Sequence, residues 1–456
     1  MRSSRTVRRF LLVVAAAIVL TVTAWAAGLP VPGTGQDPAR DQTVTGRDGV
    51  RRAGDVAGAL PGDGLGDHID ALRRHLRDQP RDAANWAALG TGLVEQARRS
   101  AEPDLYTQAQ RAFTRSLRLR PARSNSAALA GRAALAAARH DFRSALRLSD
   151  QALALSPYGE LALLVRVDAL VELGRYPAAH RAALLADARR PGIPAFTRLA
   201  YVQELRGERA AARRTLGLAL RSASAPGDTA QVATALGELS RAQGRSGRAL
   251  REYAVALRAD RDHLPALLGR GQVRAATGDL PGAVRDLRAV VARLPLPAHL
   301  ALLGEVYEAQ GDRRAAAREY AALDAWTRIA RANQVNTDLD TALVAADHGD
   351  PAQALRTARA EWDRRRTVHT ADALAWALHR EGRDEEALSL IRRATAGRLN
   401  GGGYRNAQFL YHRAEIAQAL GRATEARAHR KAALELKTAL SPRARTVLDR
   451  WTGAAR

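Results

Sequence analysis

Histidine has the widest chemical reach of the residue types in this chain, because its imidazole ligates metals and titrates near neutral pH. The sequence holds eleven, and none falls in His-Glu-x-x-His or in a cluster with metal-ligand spacing. His68 and His75 share one predicted helix but stand two turns apart, about 10 Å along its axis, too far to share one ion easily. Cysteine is absent, which excludes disulfides and thiolate metal sites and leaves the redox compartment open. No Gly-x-Ser-x-Gly, Walker loop or Ser-x-x-Lys occurs. Gly62-Asp63-Gly64-Leu65-Gly66 has no strand before it and no Lys-Ser/Thr after it, so it reads as linker and not as a phosphate loop. Gly401-Gly402-Gly403 reads in the same way as an interrepeat loop. The sequence therefore points to no catalytic, metal-binding or cofactor-binding residue, and the expected function is binding, not catalysis.

Charge is the feature that could serve binding. The net charge is +24, and the only lysines are Lys431 and Lys437, so nearly all of the positive charge is arginine. Such a balance can mark an anionic partner such as a phosphate-rich polymer, a lipid surface or nucleic acid. The arginines are scattered along the chain and not gathered into a block, which suits solvated helix faces in a GC-rich coding sequence equally well.

Arg2, Arg5, Arg8 and Arg9 precede an uncharged apolar run from Phe10 to Leu29. That run is about 20 residues, enough to cross a bilayer as a helix, with its basic end toward the cytoplasm. Trp25 suits an interface, and Ala24-Trp25-Ala26 also offers a cleavage site. Residues 1–29 are thus expected to be a signal peptide or a single-pass anchor, and either would export the rest of the chain. Arg8-Arg9-Phe10-Leu11 lacks the spacer residue of a twin-arginine signal. Residues 30–66, rich in Gly, Pro, Asp and Thr, read as a flexible tether.

The elements beyond the tether repeat. A small turn residue followed five positions later by alanine recurs as Gly174/Ala179, Gly207/Ala212, Gly244/Ala249, Gly278/Ala283, Gly311/Ala316, Gly349/Ala354, Gly382/Ala387 and Gly421/Ala426. The glycine spacings are 33, 37, 34, 33, 38, 33 and 39 residues. A period near 34 with two helix-sized apolar patterns per unit specifies a stacked helical solenoid. In the unit Asp228 to Arg261, Ala233, Leu236, Gly237 and Ser240 form the packing face of a first helix. Gly244 ends it, and Ala249, Tyr253 and Ala256 share one face of a second. Neither stripe is broad enough to stabilise a helix alone, so each must pack on its partner and on the next unit.

These residues resemble the tetratricopeptide repeat, whose pattern carries a Trp, then Leu-Gly, a turn, Ala, an aromatic, Ala and a closing Pro. Trp86, Leu89 and Gly90 open such a unit, and Ala109, Phe113 and Pro121 close it. Its Trp-to-Ala interval is about seven residues too long for the family pattern, a surplus placed in a loop near Ser100 to Asp104, with Asp104 as an N-cap. Pro157, Pro191 and Pro295 close later units, and Leu303, Gly304, Tyr307, Ala316 and Tyr320 match again. The resemblance implies an all-α fold: a right-handed α-solenoid of about nine to eleven helix-turn-helix units. The regular array is expected over residues 67–323 and degenerate units over 324–440. Asp338 and Ala358 stand there where bulky residues are usual. A half-unit over His68 to Asp78 should cap one end, and a helix over Arg443 to Trp451, within residues 441–456, the other.

In proteins that this array resembles, the first helix of each unit lines a concave groove with residues off its packing stripe. Carried over, those positions are Leu164, Asp168 and Glu172, then Tyr201 and Glu204, then Thr234, Glu238 and Arg241, then Leu268 and Gln272, then Glu305 and Glu308. Six of the twelve are acidic and one is basic. The second helices carry much of the arginine instead, as at Arg213, Arg214, Arg248, Arg251, Arg285, Arg288, Arg313, Arg314 and Arg318. The expectation is a neutral-to-acidic groove inside a basic shell, serving a non-catalytic scaffold outside the cytoplasmic membrane that binds a peptide or protein. The alternative partner is an anionic envelope polymer or lipid headgroup on the basic shell; nucleic acid is not expected.

Overall fold

The computed structural model describes residues 64–100, 102, 104–332, 339–395 and 404–453. The expected leader, most of the tether, Asp338 and Gly401 to Gly403 lie outside the described residues. Among those described there are twenty-two α-helices, two short 3-10 turns and no strand. No helix among them is long and apolar enough to cross a membrane.

Twenty of the helices form ten antiparallel pairs, and the fold is a tetratricopeptide-type α-solenoid. Pair 1 is Ala83–Ser100 with Asp104–Leu119, pair 2 is Ser126–Ala138 with Phe142–Leu155, and pair 3 is Glu160–Glu172 with Tyr176–Arg189. Pair 4 is Ile193–Leu205 with Arg209–Ser222, pair 5 is Pro226–Ala242 with Ser246–Ala259, and pair 6 is Leu264–Thr277 with Leu280–Arg293. Pair 7 joins Pro297–Gln310 to Arg313–Ala332, and pair 8 joins Leu339–His348 to Pro351–Arg364. Pair 9 is Val368–Arg380 with Asp384–Thr395, and pair 10 is Ala407–Ala419 with Ala423–Leu434.

The packing stripes read from the sequence are the ones buried. In pair 5, Ala233 is buried with Ala249, Tyr253 and Ala256, while Leu236 is buried with Ala212 and Leu216 of pair 4 and Ser240 is buried too. Glycine is required at Gly237 by close approach, since a Cβ there would lie 2.5 Å from the Tyr253 ring. Gly90 meets Phe113 in pair 1 at the same 2.5 Å. The small residue lets the first helix sit down on the aromatic of the second.

Several boundaries move. The first helix begins at Gly64, not His68, because Leu65 packs against the core of pair 1. Asp104 opens its helix within the first turn instead of capping it from outside, and the surplus residues lengthen Ala83–Ser100 to 18 residues. The expected division after Leu323 falls inside one continuous helix, Arg313–Ala332, whose buried Leu323 and Trp326 carry the stripe onward.

The largest correction concerns the carboxy-terminal units. They extend the stack, pair 8 against pair 7 and onward, and they also meet much earlier units. One apolar core holds Leu163, Leu170 and Tyr176 of pair 3, Leu199 and Leu205 of pair 4, and Trp376, Ile391, Leu436 and Leu448 of the last units. The chain therefore folds back, and pairs 8 to 10 pack on the interior of the middle ones. The final helix, Pro442–Gly453, lies against Pro297–Gln310 of pair 7, where an end cap would have covered pair 10 alone.

Candidate partner-binding groove

The first helices of pairs 3 to 7 present the expected inner surface, and most of it is occupied by the chain itself. Leu164 is 2% exposed and belongs to the shared core. Asp168 takes a two-pronged bond from Arg198 of pair 4, at 2.9 and 2.8 Å. Glu172 is paired with Arg365, which also bonds Glu361 at 2.8 Å. The Arg365 and Glu361 side chains are each 1% exposed and that of Glu172 10%, so this cluster is largely removed from solvent. Burying three charges is tolerable only because each finds opposite charge and hydrogen bonds.

The remaining positions follow the same trend. Tyr201 is half-buried against the shared core. Glu204 is half-buried, and its carboxyl is raised to about 7 by burial, with the Glu238 charge adding to the shift. Thr234 donates to the Ala230 carbonyl of its own helix at 2.7 Å. Glu238 accepts from Arg241 at 2.9 and 2.6 Å and from the Tyr253 hydroxyl. Leu268 and Gln272 are half-buried. Glu305 is 6% exposed and meets His348 at 2.9 Å. Only Glu308 of the twelve is exposed.

The occupant is a set of loops from the folded-back units. The Tyr176 hydroxyl accepts from the Val368 amide at 3.1 Å. Gly174, in the turn of pair 3 at φ +69°, lies so close to the Arg366 carbonyl that a Cβ would stand 2.2 Å from its oxygen. Further along, the Thr438 hydroxyl donates to the Arg241 carbonyl at 3.2 Å, and the Arg443 amide donates to Glu305 at 3.2 Å. Thr367 holds the entering loop in shape through a capping box with Thr370, each hydroxyl accepting the other's backbone amide at 3.1 and 3.0 Å.

The acidic character expected of the groove is present, but Asp168, Glu172 and Glu238 are spent on internal arginines and Glu305 on His348. Arg365, Tyr176, Thr438 and Arg443, which close it, were not among the expected residues. One sequence signal bore on Arg365 alone: the run Arg364-Arg365-Arg366 before Thr367, a basic cluster at a helix end. On the outside, by contrast, Arg214, Arg251, Arg285 and Arg318 of the second helices are all exposed.

Among the described residues no three His, Asp or Glu side chains could hold a metal. The buried His412 bonds Asp372 at 2.9 Å through Nδ1 and Gln408 at 2.9 Å through Nε2, and stacks on Trp376 at 4.1 Å. Both ring nitrogens are committed inside the core, leaving none to take a proton from a substrate. A cleft of about 490 Å³ on pair 4 is lined by Gln203, Thr215, Leu218 and the arginines at 213, 214 and 221, with no acid, base or nucleophile pair.

No family model matches this chain, and no curated protein does. Solved structures do. PilW, a widely conserved type IV pilus biogenesis factor, is 23% identical at a TM-score of 0.39, covering 44% of this chain and 92% of its own. TTC0263, a thermophilic TPR protein from Thermus thermophilus, is 24% identical at 0.35, covering 46% and 99%. A human IFIT1 dimer with m7Gppp-AAAA is 14% identical at 0.47, covering 72% and 77%. With ten helix pairs, turn glycines and small residues seated on aromatics, the chain is a repeat protein of the tetratricopeptide type.

Proposed function

We propose that this protein is a non-catalytic interaction scaffold, exported by its N-terminal segment, that binds polypeptide along the inner face of pairs 3 to 7. The observation that carries this reading is that the inner face already grips polypeptide, its own. Backbone groups at Val368 and Arg443 and side chains at Arg365 and Thr438 are bound by residues of pairs 3, 5 and 7. A surface that satisfies both backbone and side-chain groups of a crossing segment has the chemistry of a peptide site. A partner would compete with this internal segment, whose high local concentration sets the threshold for entry.

The test uses the full chain and a Leu436→Asp/Leu440→Asp variant, since both leucines are 6% exposed in the folded-back segment. The probe is a synthetic peptide of residues 434–445. The variant, once circular dichroism shows its helices intact, should bind the peptide at about 0.5 M salt, where screening acts within a few ångströms. The unaltered chain, occupied internally, should not. A folded variant that ignores the peptide would remove the inner face as a polypeptide site. Export is tested separately, by fusing a reporter that is active only outside the cytoplasm to Arg456.

A further inference from the structure

We propose that the outer face is a second binding surface, a ladder of arginines that takes a flexible linear polymer bearing a phosphate in every unit. This does not depend on what the inner face binds.

The ladder is set by register. In pairs 4 to 7, Arg214, Arg251, Arg285 and Arg318 each follow the buried alanine of the second helix by two positions. The same step recurs earlier at Arg111, Arg147 and Arg181, and once later at Arg356. Two positions are about 200° around a helix, so a residue there points away from the face on which the alanine packs. All eight arginines are exposed. The register stops in pairs 9 and 10, where Ser389 and Ala428 occupy the position. Eight consecutive rungs followed by two blanks confine the feature to pairs 1 to 8.

The rungs are also uncommitted. Arg147 bonds only the Ser144 hydroxyl at 3.1 Å, and Arg356 lies 3.7 Å from Asp350 and bonds Gln353. The six others make no hydrogen bond or ion pair with the described residues. Arginines on the inner face behave differently, since Arg198, Arg241 and Arg365 are all matched to carboxylates. Unmatched guanidinium forks suit phosphate oxygens, which they grip in two-pronged fashion.

Geometry chooses among anionic partners. The rungs rise one per unit on a superhelix, so they turn around its outside, and a flat bilayer meets only a few at once. A flexible chain follows the turn and engages all of them. Many weak contacts in series then sum by multivalency, each releasing counterions from the polymer.

The experiment is a titration of the full chain with long-chain inorganic polyphosphate, read by fluorescence anisotropy over a range of salt. Three proteins are compared: unaltered, a ladder variant (Arg214, Arg251, Arg285 and Arg318, all to Gln), and an equal-charge control. The control changes the exposed Arg74, Arg77, Arg120 and Arg123 to Gln. The ladder variant should lose at least about tenfold in affinity, and its salt slope should fall by about three. The control should lose much less. Equal losses in both would show that net charge alone binds the polymer, and the ladder would be refuted. Triphosphate binding as tightly as the long chain would refute it too, as would anionic vesicles binding with the same dependence on the four rungs.

Discussion

The inner and outer faces of pairs 3 to 7 are both charged, yet they use charge in opposite ways. Inside, Glu172, Glu238 and Glu305 each have a partner: Glu172 and Glu305 meet groups of later units, and Glu238 meets Arg241 and Tyr253 of its own pair. Outside, Arg214, Arg251, Arg285 and Arg318 are exposed to water. Burial forces the difference, since a charge taken out of water needs a counter-charge and a solvated one does not. Glu172 and Glu305 therefore report contacts between units, while these four arginines of the second helices are left to the solvent, unlike Arg213 and Arg248, which pair with Glu252.

The largest contrast should appear when one arginine is removed from each face. Arg365→Ala would leave Glu172 buried without its partner and Glu361 held by Arg364 alone, and should cost about 3–5 kcal/mol. Arg251→Ala on the outer face should stay within about 0.5 kcal/mol. Denaturant unfolding of the two variants measures both, and equal effects would erase the distinction.

A smaller contrast lies in the turns. Gly174 and Gly278 both have positive φ, at +69° and +92°, so alanine at either should cost about 1 kcal/mol for conformation alone. At Gly278 nothing lies within 4 Å of the added Cβ, whereas at Gly174 it would collide with the Arg366 carbonyl. Gly174→Ala should therefore cost more, and it alone should speed hydrogen exchange at the Val368 amide, which is bound by Tyr176.

The pH dependence should be smaller still and of two signs. Glu204 is raised from 4.5 to about 7 in the folded chain, so the fold prefers it protonated. Its ionisation weakens the fold progressively as pH rises from 4.5 through 7, and Glu204→Gln should gain stability relative to the unaltered chain over that window. His140 and His369 are held down from 6.5 to about 4 by burial, with Arg365 adding to it. Both prefer to be neutral, so their protonation weakens the fold as pH falls from 6.5 through 4. His369→Gln should remove part of that acid loss. Thermal melting across pH 4 to 8 resolves the two arms.

The repeat itself was plain in the sequence because its determinants are local. Gly244 and Ala249 lie five residues apart, and Gly237 and Tyr253 sit within one helix pair, so spacing alone reveals them. The burial of the first-helix residues was not legible, because it depends on Arg365 reaching Glu172 across 193 positions. No periodicity encodes such a contact, and repeats drawn as an open stack leave the interior empty. The outer register at Ala plus two was written in the sequence as plainly as the turns. The turn pattern had already marked the alanines that set it, and the structure added that they are buried and the arginines exposed.

The fold-back also changes what this solenoid is mechanically. An open stack of helix pairs extends under tension like a spring, each unit yielding a little against its neighbour. Here the Glu172–Arg365 pair and the contact of Thr438 with Arg241 tie distant coils together. Pulled along its length, the molecule should resist as a stiff strut until those ties rupture, and only then uncoil.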